Sequence, residues 1–77
     1  MKARKSIRVG QRLINWDGMK GYVDLNSIGK TVYDPGEPFL VQWLDWDGEQ
    51  GDANYYTLEQ FREEGITFGR GVMPWAR

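Results

Sequence analysis

Cysteine and histidine are both missing from this 77-residue chain. Without cysteine, neither a disulfide nor a thiolate metal cage staples the fold, so side-chain packing has to carry it alone. The same absences remove the thiol nucleophile and the usual general base at neutral pH, and no other nucleophile is set near a plausible base. There is no Gly-rich phosphate loop, and the paired carboxylates fall in a run that reads as an exposed turn, where nothing would raise a pKa or exclude water. The expectation is a chain with no catalytic residues, no enzyme activity, no cofactor and no resident metal. No stretch approaches the ~18 apolar residues that span a bilayer, and the basic start MKARKSIRVG has no apolar segment behind it. A cytoplasmic protein with no membrane contact is therefore expected.

The chain is rich in rings, with four Trp, four Tyr and three Phe. Each can remove ~150 to 250 Å² from water, so a few of them suffice for the core of one small domain. Net charge is only −1, but it is unevenly spread. Residues 1–33 hold seven Lys or Arg against two Asp, residues 34–64 hold nine acids against Arg62 alone, and the remainder adds Arg70 and Arg77. Such asymmetry suits either a binding surface or plain solubility. One domain over residues 1–77 is expected, with residues 1–8 a basic arm and residues 70–77 a tail. No segment reads as a repeat of another.

Local patterns then order the elements. Residues 12–16 are rich in β-formers and run into Asp17-Gly18, a dipeptide suited to a hairpin turn. Residues 21–28 alternate Val23 and Leu25 with Tyr22, Asp24 and Asn26, the period of a half-buried strand. Residues 29–38, with two Pro and two Gly, read as a loop. In FLVQWL (residues 39–44), Phe39, Val41 and Trp43 share one face, and the strand belongs inside the sheet. Residues 45–52, DWDGEQGD, have turn chemistry, and residues 53–57 resume the sheet. Thr57 with Gln60 fits a capping box, Gly65 a left-handed stop, and between them lies a helix of about two turns with Leu58 and Phe61 inward. A last strand at residues 66–68 precedes GRGVMPWAR.

This order resembles that of an SH3-like barrel, so a mainly β fold is expected: a small five-stranded barrel with one short helix before the last strand. Over residues 39–61 the chain is similar to a chromodomain, one of the group that includes Tudor and KOW modules. FLVQWLDW resembles that family's apolar strand ending in Trp with another aromatic three residues on, and Asn54-Tyr55-Tyr56 with Leu58-Glu59 resembles the cluster leading into its helix. The resemblance implies that Trp43 and Trp46 belong to an aromatic cage for a methylated ammonium, with Trp16 or Tyr22 a loose match for its third ring. The early stop at Gly65 and the strand after it look more like SH3, Tudor and KOW barrels.

Three partner classes follow. The basic set Lys2, Arg4, Lys5, Arg8, Arg12 and Lys20 with Trp16 and Tyr22 would make a platform for phosphates and stacked bases, that is, for nucleic acid or a protein bound to it. The alternative for this set is a solvated arm. Asp45, Asp47, Glu49 and Asp52 form an acidic loop that could meet a basic protein surface, as in a small adaptor or inhibitor of the phage or mobile-element type. The third class is a methyl-lysine reader. Trp43 reads first as core, Trp46 and Trp16 as contact residues or local lids, and one of Tyr55 and Tyr56 as surface. The four acids match only the opening of a calcium loop and read as a solvated turn. No feature sets an oligomeric state.

Overall fold

The computed structural model describes residues 4–24 and 31–76. In chain order its elements are β1 (Lys5–Ser6), β2 (Gln11–Ile14), β3 (Lys20–Val23), β4 (Val32–Tyr33), β5 (Phe39–Leu44), β6 (Gln50–Tyr56), α1 (Leu58–Glu64) and β7 (Thr67–Val72), closed by a 3-10 turn at Pro74–Ala76. The fold is mainly β, with one short helix before the last strand, as expected. A five-stranded antiparallel sheet runs β6-β5-β3-β2-β7, and β1 pairs with β4 in a second, two-stranded sheet. Among the described residues β6 and β7 are the two ends of the larger sheet and do not pair with each other, so its hydrogen bonding does not close into a ring.

Large rings assemble the core, because period-two strands deliver them to one face and the helix adds one more. Phe39, Val41 and Trp43 of β5 are buried, together with Leu13, Val23 and Tyr33. Phe61 from α1 meets Phe39 edge-on at 5.3 Å, and Tyr33, Tyr56 and Phe68 extend the contact. Thr57 and Gln60 form the capping box: the Thr57 hydroxyl accepts from the Gln60 amide at 3.1 Å, and Gln60 Oε1 accepts from Thr57 N at 2.9 Å. Gly65 ends the helix at φ 69°, a left-handed value that a side chain resists.

Several boundaries differ from the sequence reading. The amino-terminal arm is not a solvated tail from Arg4 onward, since Lys5 and Ser6 pair with Tyr33 and Val32 and Ile7 is buried. The expected loop at 29–38 contains β4 for the same reason; its first two residues, like residues 25–28 of the expected second strand, lie outside the described residues. In β3 both Tyr22 and Val23 are buried, which breaks the half-buried alternation. Residues 50–52 of the expected turn already belong to β6, and β7 runs on to Val72. The tail folds back: Met73 N donates to Gly10 O at 2.8 Å, and Trp75 packs edge-on over Tyr22 at 5.2 Å. The sheet thus has a second, outer face, partly roofed by the chain's own end. There Gln42 is buried, and its side-chain amide donates to the carbonyls of Trp43, Gly51 and Asp52.

Candidate functional site

Two hairpin turns repeat one another, a feature that the sequence reading missed. Asn15-Trp16-Asp17-Gly18-Met19 joins β2 to β3, and Asp45-Trp46-Asp47-Gly48-Glu49 joins β5 to β6. In both, the first residue's carbonyl accepts from the glycine amide, at 3.0 Å for Gly18 and 2.9 Å for Gly48. In both, its amide donates to the fifth residue's carbonyl, at 2.9 and 2.8 Å. Its side-chain oxygen also accepts from the fifth amide, 2.8 Å for Asn15 to Met19 and 2.9 Å for Asp45 to Glu49. Gly18 and Gly48 sit at φ 89° and 88°, so glycine is required at each. The visible signal was the tripeptide Trp-Asp-Gly, present twice, each time behind an apolar strand and with a further Gly three residues on.

The turn geometry puts the Trp at the tip, away from both strands, and the rings stay in solvent. Trp16 is 80% and Trp46 70% exposed. Because β3 pairs with both β2 and β5, the two tips lie at one end of the sheet. Each indole leans on a neighbouring glycine: a Cβ at Gly18 would lie 3.8 Å from the Trp46 ring, and one at Gly65 would lie 3.2 Å from the Trp16 Cβ. One flank of each side chain is therefore packed while the rest faces outward.

Carboxylates surround these rings. Trp16 borders a hollow of 390 Å³ whose charged lining residues, among those described, are Asp45, Asp52 and Glu64, with no Lys or Arg. Trp46 borders another with Asp45, Asp47 and Lys20. Asp45, Asp47 and Glu49 hold carboxylate oxygens within 4.8 Å of one another, all exposed, whereas Asp52 stands apart from that group on β6. A hydrogen bond between the side chains of Asp45 and Asp47 pushes Asp45 above the ordinary carboxylate value and holds Asp47 below it. The cluster is an exposed, solvated turn that binds its own backbone.

The other expected site residues scatter. Trp43 is buried, and its indole N–H donates to the Tyr56 hydroxyl at 3.0 Å, so it is a core ring and not a free contact. It borders the hollow beside Trp16, while Trp46 borders the other, so the two rings expected to share one cage face different hollows. Tyr22 is not a stacking platform, because Trp75 covers it and Gln50 donates to its hydroxyl at 3.1 Å. Tyr55 is 63% exposed and Tyr56 half-buried, as adjacent strand residues require. Tyr55 stands roughly 15 to 17 Å along β6 from the turn, at ~3.3 Å per residue, and does not join the indole pair.

The basic residues do not gather either. Arg4 pairs with Asp34 at 2.9 Å, Lys5 lies 5.1 Å over the Phe68 ring, and Arg12 Nε donates to Val72 O at 3.3 Å. Arg8 is exposed between β1 and β2, while Arg12 and Lys20 border a hollow that does not include Trp16. Lys2 lies outside the described residues. Comparison with known proteins returns no matching family model, no matching curated protein and no matching solved structure.

Proposed function

We propose that the chain is a non-enzymatic protein-binding module that presents Trp16 and Trp46, set among carboxylates, to a basic surface of a partner protein. The observation that carries this reading is the matched pair of turns, which exposes two indoles at one acidic end of the sheet. An indole face attracts ammonium and guanidinium groups, worth ~0.5 to 2 kcal/mol per contact, and Trp is the commonest anchor of interface hot spots. The acids around it add charge-assisted hydrogen bonds and speed encounter with a cationic patch. The same acids repel phosphate, which weighs against nucleic acid at this end. We read the architecture as SH3-like, supported by the order of the larger sheet: its fifth strand lies beside its first, followed by the second, third and fourth.

The test is a pull-down from lysate with and without nuclease treatment, using the wild type, a D47K/E49K/D52K variant and a W16A/W46A variant. The expected result is a set of basic proteins retained by the wild type and lost by both variants, with circular dichroism unchanged. An identical partner list for all three would overturn the proposal. Loss of every partner on nuclease treatment would overturn the proposal in favour of nucleic acid.

A further inference from the structure

The outer face of the sheet carries a hollow unlike the two at the indole end. Its volume is 220 Å³, and Ile14, Leu44 and Met73 give it apolar walls. Among the described residues, Arg12 and Lys20 are its only charged lining residues. Arg12 is held in place through its Nε bond to the Val72 carbonyl, which leaves the terminal nitrogens of its guanidinium for another acceptor. Lys20 is exposed on the neighbouring strand, in register with Ile14.

The position of this hollow follows from the fold. The chain's end roofs only part of the outer face, with Trp75 over Tyr22 and Met73 tied to Gly10. Beyond Met73 the side chains of Ile14 and Leu44 are half-buried, and among the described residues no ring covers them as Trp75 covers Tyr22. Gly69 of β7 borders the opening, and a Cβ there would lie 3.5 Å from that of Arg12, an ordinary contact. A larger side chain at this position would start beside Arg12 and take up space that glycine leaves clear.

We infer that this hollow binds a small aliphatic carboxylate, its alkyl chain against Ile14, Leu44 and Met73 and its anion between Arg12 and Lys20. Apolar walls with a few convergent polar groups are the usual make-up of a small-molecule site. A lining with two cations and no acid selects anions over cations, and an aliphatic body is needed to displace water from the apolar walls. This hollow shares Lys20 and Leu44 with the one beside Trp46 but is lined by neither indole, and the inference does not depend on the protein-binding reading.

The experiment is an amide NMR titration of the full chain with octanoate, with octyltrimethylammonium and acetate as comparators. Octanoate should give saturable shifts at Lys20, Gly21, Gly69 and Met73. At these amides octyltrimethylammonium should bind at least about tenfold more weakly, the scale of one lost charge-assisted contact, whatever it does at the indole end, and acetate should leave them unmoved. Lys20→Gln should weaken octanoate by about three- to tenfold on the same grounds while leaving the spectrum of the free protein in place. Gly69→Leu should block binding without changing charge; Lys20→Gln decides the matter if that variant fails to fold. Equal effects of the octyl anion and cation on these four amides, unsaturable shifts, octanoate shifts centred on the indole turns, or an unchanged Lys20→Gln variant would each overturn the inference.

Discussion

Gly21 is a residue whose lack of a side chain is required by its neighbours. A Cβ there would approach the Gln42 carbonyl oxygen to 2.7 Å and the Leu13 and Trp43 side chains to 3.1 Å. The oxygen belongs to backbone in the next strand and cannot swing aside. Gly21→Ala should therefore cost about 1 to 3 kcal/mol, the usual range for overpacking, read from the urea midpoint of unfolding.

Asp45 offers a test with a defined pH sign. Its carboxyl is pushed above the ordinary 3.8 because, once protonated, it donates to Asp47, whose own pKa falls for the same reason. A raised value in the folded state favours folding at low pH, and that contribution is lost as pH rises through Asp45's raised value. Asp47 works in the opposite sense: its contribution is present above the ordinary value and lost as pH falls. Asn at position 45 would keep the acceptor for Glu49 N, as Asn15 does in the first turn, and would supply a permanent N–H donor to Asp47. Asp45→Asn should raise the melting temperature at pH 7, and the gain should shrink as pH falls through Asp45's raised value. A gain that grows in acid would refute this account.

Among the elements, α1 depends most on local chemistry. Seven residues are too few for a helix to persist by propensity alone, so its cap and the burial of Phe61 hold it. Thr57→Ala should cost about 1 kcal/mol by leaving the Gln60 amide without its acceptor, and hydrogen exchange should quicken first in that turn. This helix was legible in the sequence because the capping box and Gly65 act over a few residues. The strand β5 was legible because Phe39, Val41 and Trp43 keep a clean period of two. By contrast, β4 sits in a stretch of Pro and Gly whose local signals favour a loop, and only pairing with β1, about 27 positions earlier, makes it a strand. The repeated turns were legible in principle, since both are written in the same tripeptide.

At the scale of the molecule, the least legible feature is the fate of the carboxyl-terminal segment. Its composition reads as a tail, yet Trp75 covers Tyr22 from more than fifty positions away, and no period within β3 reports that cover. The burial of Tyr22 is thus a property of the whole chain, and so is its loss as a candidate contact. Trp75→Ala should remove one edge-on ring pair and part of the cover, costing about 1 to 2 kcal/mol. For a domain of this size, that lowers the melting temperature by roughly 4 to 16 °C. Tyr22 should become more accessible to iodination in the same variant.

The candidate site divides along the same line. Trp16 and Trp46 stand exposed on turns that five-residue stretches define, and both were nameable from the sequence. Trp43 and Tyr22, named beside them, went inside because neighbours distant in sequence took them in.

Each matched turn closes its backbone hydrogen bonds within its own five residues, and its tip side chain takes part in none of them. Positions 16 and 46 are consequently decoupled from strand register. What they display can change, by drift or by design, while the scaffold below goes on folding in the same way. A library randomised at these two sites would sample specificities on a frame that does not need to be rebuilt for each one.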